Sequence, residues 1–214
     1  MLNVTIVESN AQYEKLFKSA GFEVTPLTLG RSPKAEDTDL VLFTGGPDVS
    51  PDLYGEKPHS KTYANSYRDS RERKIFLDML DAGVPMVGIC RGGQFLNVMN
   101  GGKMHQHVVG HATGQDHLMW DVDTKEEIMV SSTHHQMMKP ARHGKVLATS
   151  NVCSRREDPK GQDVGGEWDD IEVVYYKRTN CLCFQPHPEF FPITHPCPEY
   201  FINTLKASLF EEKR

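Results

Sequence analysis

The residue of this sequence best placed to do chemistry is Cys90, in the run V-G-I-C-R-G-G-Q that spans residues 87–94. An apolar stretch ends at Cys90, and glycines stand two residues before it and two residues after it. This spacing permits the sharp strand-to-helix turn that lifts a nucleophile above a sheet. The helix dipole then favours the thiolate, and the backbone N–H of Arg91 can point at a developing oxyanion. The pattern predicts a cysteine nucleophile, although a buried cysteine in a strand that ends in glycines has the same sequence.

A base for this nucleophile is predicted near the end of the chain, where residues 185–189 read Q-P-H-P-E. His187 and Glu189 are two residues apart, so in an extended segment their side chains project to the same side. The prolines on either side of His187 disfavour a helix and hold the segment extended. The carboxylate can then orient the imidazole toward the thiol. Taken alone, the H-P-E motif is equally compatible with a proline-rich surface turn.

A third candidate element is the run T-G-G-P-D, residues 44–48, which follows the apolar segment 40–43. Its glycines let backbone N–H groups approach a ligand closely. The loop is therefore predicted to supply a second oxyanion donor. The alternative is an ordinary exit from a strand.

The elements that must position these residues alternate between short apolar runs and amphipathic stretches, which is typical of an α/β fold. The predicted strands cover residues 2–7, 22–27, 40–43, 84–89, 171–176 and 181–184. Helices are predicted over 11–20, from about Asp69 to Gly83, over 91–99, and over a final segment that carries Phe201, Ile202, Leu205 and Leu209 on one face. The polar, His-rich segment 102–166 is predicted to form short strands and loops.

Composition narrows the class of protein. A chain of 214 residues favours one domain over 1–214, and a net charge of −5 without a Lys/Arg run argues against direct nucleic-acid binding. No apolar stretch approaches the ~20 residues of a membrane span, and the first residues lack the pattern of a signal peptide. A cytoplasmic location with no membrane association is therefore expected. Five cysteines, an odd number, fit reduced thiols.

Six blocks of this sequence, in order, resemble the class I glutamine amidotransferase-like superfamily, and most closely the γ-glutamyl-γ-aminobutyrate hydrolase (C26 peptidase) family. The blocks are F-T-G-G-P-D-V-S-P-D-L-Y-G-E (43–56), R-D-S-R-E (68–72), P-M-V-G-I-C-R-G-G-Q-F-L-N-V-M-N-G-G (85–102), S-S-T-H-H-Q (131–136), D-I-E-V-V (170–174) and F-Q-P-H-P-E (184–189). The resemblance runs over nearly the whole chain. Its P-x-L-Y-G-E and R-D-x-x-E blocks are not general to amidotransferases, which makes the match to this branch specific.

The resemblance implies a flavodoxin-like, mostly parallel sheet with helices on both faces, and a small-molecule γ-glutamyl substrate without a cofactor. It implies a catalytic triad of Cys90, His187 and Glu189. It also implies backbone oxyanion donors at Gly46 and Arg91. The residues that it places at the substrate are Gly45, Gln94, His135 and Gln136.

The sequence departs from the family in two places. Residues 104–107 read M-H-Q-H after Gly101 and Gly102, where the family usually has a Gln-Asp pair, and Ser131 stands where Asn is common. These departures bear on the substrate's leaving group rather than on the nucleophile.

Two further groups of residues receive structural interpretations. Asp69 and Glu72, in the block that starts at Arg68, have the spacing of a helix-capping box. A metal site formed by His105, His107, His111 and His117, with His134 and His135 further on, is set aside because no Cys or acidic ligand recurs at a zinc-like spacing. For His105, His107 and His111, which lie in a polar region, solvated side chains are the simpler account.

Three functions remain to be compared. The first is a hydrolase in which Cys90 attacks a γ-glutamyl amide and His187 protonates the leaving amine. The second is the glutaminase subunit of an amidotransferase, which passes ammonia to a separate synthetase and needs a docking partner for it. The third is a binding or regulatory module with a degraded triad, which the presence of all three triad residues disfavours. The leaving amine stays open, and so does assembly into a homo-oligomer.

Overall fold

The computed structural model describes residues 1–28, 30–165 and 169–211. Its helices are α1 (Ala11–Ser19), α2 (Ser66–Asp81), α3 (Arg91–Met99) and α4 (Pro196–Leu209). Its strands are β1 (Asn3–Val7), β2 (Glu23–Leu27), β3 (Leu40–Phe43), β4 (Met86–Ile89), β5 (Lys103–His105), β6 (His107–Val109), β7 (His117–Asp121), β8 (Glu127–Val130), β9 (Met137–Lys139), β10 (Lys145–Ser150), β11 (Arg155–Glu157), β12 (Asp170–Tyr176) and β13 (Cys181–Phe184).

Nine of these strands form one sheet, in the order β2-β1-β3-β4-β13-β12-β10-β7-β8. The first five strands in this order, from β2 to β13, pair with their neighbours in parallel, and all later neighbours in the order pair antiparallel. The neighbours β3, β4 and β13 run parallel, so their carboxyl ends meet at one edge of the sheet. The loop at 44–48, Cys90 and the segment 185–189 follow these three strands directly. Adjacent parallel strands therefore bring together three segments that are far apart in sequence.

Helices cover both faces of the sheet. One apolar core joins side chains from α1 and α4 to one face, and a second core joins side chains from α2 and α3 to the other. Strand β3 contributes alternate side chains to the two cores and is buried along its whole length. A strand covered on both faces reads as a continuous apolar run, which is the pattern of residues 40–43.

The predicted helices and strands are present, and the main differences lie at their ends. Helix α2 begins at Ser66, and its N-cap is Asn65, whose side chain accepts a hydrogen bond from the backbone N–H of Arg68 at 3.1 Å. The capping interpretation of Asp69 and Glu72 was therefore wrong, because both carboxylates lie inside the helix and are buried. In the His-rich segment, β7, β8 and β10 extend the central sheet, while β5 pairs with β9 and β6 with β11.

Within the described residues, we find no helix with the length and apolar character that a membrane span requires.

Candidate active site

Cys90 lies at the sharp turn between β4 and α3. Its backbone has φ 53° and ψ −115°, a conformation that side chains other than glycine rarely adopt. A Cβ atom at position 88 would lie 2.2 Å from the backbone carbon of Gly92, and one at position 92 would lie 2.0 Å from the carbonyl oxygen of Phe43. Both glycines are therefore needed for the turn, which has the strand-to-helix geometry that the spacing predicts.

The imidazole of His187 lies between the thiol and a buried carboxylate. Its Nδ1 is 2.5 Å from Oε1 of Glu189, and its ring stacks on Phe190 with the centroids 4.4 Å apart. The backbone N–H of His187 donates to the hydroxyl of Ser131 at 2.8 Å. A Cβ atom built on Gly45 would lie 3.0 Å from Cε1 of His187 and 3.7 Å from Cβ of Cys90, so the two side chains meet over this glycine.

Charge determines the protonation of His187. Burial disfavours the imidazolium, but the interactions of the ring with Cys90 and with the carboxylate of Glu189 outweigh burial and raise the pKa of His187 to about 10. An imidazolium held between a sulfur and a carboxylate has a proton ready for a leaving amine. The arrangement can therefore support nucleophilic attack followed by proton transfer.

The loop after β3 is held by Arg68. The guanidinium donates to the carbonyl oxygen of Thr44 at 2.9 Å and to that of Gly45 at 3.0 Å. Gly46 has φ 150°, and a Cβ atom there would lie 2.0 Å from Nη1 of Arg68. Gly46 and Arg91 both line the cavity at Cys90, and the N–H of Arg91 lies in the first turn of α3, where backbone donors have no partner within the helix.

Four buried side chains behind this loop form what we call the arginine network, namely Arg68, Asp69, Glu72 and Arg91. Glu72 accepts a hydrogen bond from Nε of Arg68 at 2.7 Å and binds the guanidinium of Arg91, which also binds Asp69. Burial, followed by the charge of Arg68, lowers the pKa of Arg91 to about 10. Two cations therefore face two anions, and the network fixes both ends of the predicted oxyanion site. In the sequence, the R-D-x-x-E block marks three of these four residues, although its spacing alone predicts helix capping for the two carboxylates.

Tyr13 is a residue at this site that sequence reasoning missed. Its hydroxyl accepts the backbone N–H of Gly45 at 3.0 Å. Burial, and then the charge of Glu189, raise the pKa of Tyr13, so the phenol stays neutral. Tyr13 therefore connects helix α1 to the loop after β3, beside the carboxylate that orients His187. No local motif marks it, because it reads as a core position of an amphipathic helix.

Cys90 opens into a polar cavity of about 190 Å³. Larger cavities occur elsewhere on the molecule, but Cys90 does not line them. The residues around the cavity are Gly46, Pro47, Asp48, Tyr63, Cys90, Arg91, Gln94, Thr133, His134, His135 and Gln136. The structure therefore brings Gln94, His135 and Gln136 to the predicted nucleophile. Gly45 lies beneath the site, where its N–H is bound to Tyr13 and its carbonyl to Arg68.

The polar side chains of the cavity are held in place by neighbours. Gln94 donates to the side-chain oxygen of Gln185 at 3.1 Å, and Gln136 donates to the carbonyl of Gln106 at 3.1 Å. Oε1 of Gln136 is buried and has no hydrogen-bond partner among the described residues. His135 is partly exposed, with Nε2 3.1 Å from Oδ1 of Asp48. The cavity thus has a fixed interior and a charged rim.

The histidines do not all behave as expected. His105 and His107 are half-buried, but His111 is buried, so the interpretation of a solvated side chain was wrong for His111. The reason is that its Nε2 lies against the carboxylate of Asp170 in β12. His117 is buried as well, because β7 joins the central sheet and places this side chain against Glu172.

Comparison with known proteins agrees with the fold and identifies the family. A family model for Peptidase C26 matches residues 11–126, more than half of the chain. A glutamine amidotransferase-like protein, YvdE of Lactococcus lactis, is 28% identical over 197 residues, which cover 81% of this chain and 77% of that protein. The carbamoyl phosphate synthase small chain of Photobacterium profundum is 26% identical over 182 residues, which cover 84% of this chain and 40% of that protein.

Among solved structures, that of PurLQS from Thermotoga maritima superposes with a TM-score of 0.61 at 17% sequence identity, covering 95% of this chain and 97% of the matched chain. At this level of identity the likeness concerns the fold alone, and it confirms the mostly parallel, flavodoxin-like architecture with helices on both faces. The family model spans residues 11–126, a range that includes Cys90. The chain therefore belongs to the Peptidase C26 family of the class I glutamine amidotransferase-like superfamily.

Proposed function

We propose that this protein is a cysteine-dependent hydrolase of γ-glutamyl amide bonds, acting on glutamine or on a γ-glutamyl amine. The observation that carries the proposal is the meeting of Cys90, His187 and Glu189 at the carboxyl ends of neighbouring strands, beside one small polar cavity. Membership in Peptidase C26 and similarity to a protein named as glutamine amidotransferase-like support the same class of reaction.

The reaction proceeds through a thioester. The sulfur of Cys90 attacks the amide carbon, and the carbonyl oxygen takes up the negative charge, stabilised by the backbone N–H groups of Gly46 and Arg91. His187 gives its proton to the nitrogen, the C–N bond breaks, and the amine leaves. A water molecule then loses a proton to His187 and attacks the thioester, so the C–S bond breaks and glutamate is released. Glu189 holds the imidazole in the orientation that both transfers need.

The substrate's glutamyl half occupies the interior of the cavity. A volume of about 190 Å³ suits a small acyl group better than a large ligand. Gln94 and Gln136 line the cavity and supply polar side chains for the α-amino and α-carboxylate groups of the glutamyl half. The leaving amine faces the rim, where Asp48, His135 and the exposed Tyr63 lie. Recognition is therefore strict for the glutamyl half and tolerant of the amine.

A second candidate function is the glutaminase subunit of an amidotransferase. The observation in its favour is the similarity to the small chain of carbamoyl phosphate synthase over 84% of this chain. In this version ammonia passes to a separate synthetase, and turnover of glutamine depends on that partner.

The deciding experiment measures kcat/KM of the purified chain for glutamine, for a γ-glutamyl alkylamine and for its des-amino analogue. Loss of the α-amino group should lower kcat/KM by ~10⁴-fold, because the cavity's polar groups are then left unpaired. A methylene-sized change in the amine should alter it by only ~10–200-fold. Equal cleavage of the des-amino compound would contradict the proposed glutamyl cavity. If glutamine is the one compound of the three that reacts, and if it reacts only when a second protein is present, the amidotransferase subunit is favoured.

Thiol labelling tests the nucleophile separately. A glutamine-like electrophile should modify Cys90 first, since Cys181, Cys183 and Cys197 are buried. Cys153 is partly exposed, as Cys90 is, but burial and the charge of Asp170 raise the pKa of its thiol. Cys153 is thus the matched control. Peptide mapping after brief exposure gives the order, and faster labelling of Cys153 with activity retained would exclude Cys90.

A further inference from the structure

A second group of buried polar side chains, which we call the histidine cluster, lies beside the cavity and takes no part in the proposed reaction. Its members are His111, His117, His134 and Glu172, each at most 8% exposed. One potential metal-ligand atom from each of His111, His117 and Glu172 lies within 4.8 Å of the other two. The ring of His134 packs against that of His111, with the centroids 4.3 Å apart.

The outer nitrogen of His111 fixes its tautomer. Nε2 lies 3.1 Å from Oδ2 of Asp170, a carboxylate oxygen that also accepts two backbone N–H groups at 2.7 Å. Because this oxygen acts as an acceptor, Nε2 of His111 carries the proton. The lone pair of the neutral ring is then on Nδ1, which is buried without a hydrogen-bond partner among the described residues and lies 3.8 Å from Oε1 of Glu172.

His134 has the same arrangement with its nitrogens exchanged. Nδ1 lies 2.9 Å from the carbonyl oxygen of Gln136, which can only accept, so Nδ1 carries the proton. The lone pair is on Nε2, which is buried and has no partner in the described part of the chain. A histidine whose outer N–H is fixed by a carbonyl or a carboxylate and whose inner nitrogen is free has the tautomer and orientation of a metal ligand.

Glu172 supplies negative charge to the same place. Its Oε1 accepts from Ser150 at 2.8 Å and lies 2.9 Å from Nε2 of His117, while its Oε2 is buried with no partner within the described ranges. Buried acceptors without donors are costly, and Nδ1 of His111, Nε2 of His134 and Oε2 of Glu172 all lack a donor among the described residues. Separate protons on the two rings would place cations side by side in His111 and His134. A divalent cation held between His111, His117 and Glu172, whose ligand atoms already lie within 4.8 Å of one another, avoids this.

We propose that the histidine cluster binds one divalent transition-metal ion, with Zn²⁺ as its expected occupant, through Nδ1 of His111, Nε2 of His117 and the carboxylate of Glu172, with Nε2 of His134 turning toward the ion as the fourth ligand. Imidazole nitrogens and a carboxylate oxygen are ligands that Zn²⁺ accepts, and four protein ligands complete a tetrahedral, closed site. The ion is structural, because no position is left for substrate.

The site would tie the wall of the active-site cavity to the sheet. His134 belongs to the loop 131–136, whose Ser131 accepts the backbone N–H of His187 and whose Ser132 donates to the carbonyl of His111. The other ligands come from β7, β12 and the segment before β7. Metal binding therefore stabilises the loop without touching the reacting atoms.

The test uses the full chain carrying Cys90→Ser, so that the predicted nucleophile cannot bind the metal. After removal of metal with a chelator, Zn²⁺ is titrated by calorimetry, and Co²⁺ is bound in its place for visible spectroscopy. The expected results are one ion per chain, a tetrahedral Co²⁺ spectrum without a thiolate charge-transfer band, and a Tm that rises with Zn²⁺. Glu172→Gln should weaken binding by more than ~100-fold, beyond the ~10–100-fold that loss of an outer hydrogen bond costs.

The matched control is His107→Gln. His107 lies in a separate group of rings with His59 and His135, and its Nδ1 is 3.5 Å from Nδ1 of His135. This variant should bind Zn²⁺ as its parent does. Binding lost in His107→Gln, binding unchanged in Glu172→Gln, an octahedral Co²⁺ spectrum, or no uptake at micromolar Zn²⁺ would each overturn the proposal. If Glu172→Gln does not fold, His134→Ala and the Co²⁺ spectrum of the parent decide the question.

Discussion

The arginine network and the histidine cluster both lie beside the cavity at Cys90, yet they satisfy their buried charges differently. In the arginine network the carboxylates of Asp69 and Glu72 bind guanidinium groups directly. In the histidine cluster, Glu172 retains a buried oxygen without a donor, and each of the three histidines has one buried nitrogen without a hydrogen-bond partner among the described residues. Carboxylates that are paired with guanidinium groups can position a loop unaided, whereas an electron-rich set with unpaired acceptors is suited to a cation.

The largest expected effect is on kcat, for substitutions in the proposed triad that lies between the arginine network and the histidine cluster. By analogy with serine protease triads, Cys90→Ala or His187→Ala should lower kcat by ~10⁶-fold, and Glu189→Gln by only ~10⁴-fold, since Glu189 orients the base without exchanging a proton. Release of glutamate from a γ-glutamyl amide is the measurement. Unchanged thermal unfolding of each variant is the control, and full turnover by His187→Ala at neutral pH would refute the assignment of the base.

Removal of a carboxylate from the arginine network should lower the stability of the fold. Glu72→Ala leaves Arg68 and Arg91 facing each other without their shared anion, so the free energy of unfolding in urea should fall by ~3–5 kcal/mol. The control is Asp78→Asn on the same helix, which breaks only an exposed ion pair with Lys74 and should cost ~1 kcal/mol or less.

Glu72→Ala also tests whether the arginine network and the histidine cluster are independent. Zn²⁺ should still raise the Tm of Glu72→Ala but not that of Glu172→Gln. A metal response lost in both variants would mean that the two groups are not independent.

Tyr13→Phe should have a smaller effect. It keeps the ring but removes the acceptor of the Gly45 N–H, and a buried unpaired donor costs ~1–3 kcal/mol. Because the loop of Gly46 is then less firmly held, kcat should fall by roughly tenfold while KM changes little. Steady-state kinetics measure this. Tyr54→Phe is the matched control, since the buried hydroxyl of Tyr54 has no partner among the described residues; equal losses in both variants would argue against a positioning role for Tyr13.

The smallest effect concerns pH. The pKa of His187 is raised to about 10, so its ion pair contributes fully to stability below the ordinary value of ~6.5 and is lost as pH rises through 10. A plot of kcat/KM against pH should stay level through neutrality and fall on an alkaline limb near 10. Glu189→Gln should move that limb to lower pH, whereas Glu199→Gln, at an exposed position of α4, should not. A limb near 6.5 in the parent would contradict the ion pair.

Local patterns in the sequence were sufficient for the main elements and for the turn at Cys90, because steric limits on glycine and the periodicity of apolar residues act over a few positions. The extent of the sheet beyond β12 was not predicted. Strands β7, β8 and β10 are short, and whether such a strand forms depends on the neighbouring strands with which it packs rather than on its own sequence. The same limit applies to the site. The contact of Tyr13 with Gly45 and that of His111 with Asp170 join residues far apart in the chain, and neither end has a local signature.

The backbone at Cys90 has an evolutionary consequence. Its positive φ costs an L-residue ~1–3 kcal/mol, and glycine at the same position would be free of that cost. Cys90→Gly would therefore remove the proposed nucleophile and at the same time make the fold more stable. A gene copy released from selection for catalysis could gain stability through this single change and persist as a folded, non-catalytic protein. Where the cysteine is retained, folding by itself favours its loss, so selection for activity must maintain it.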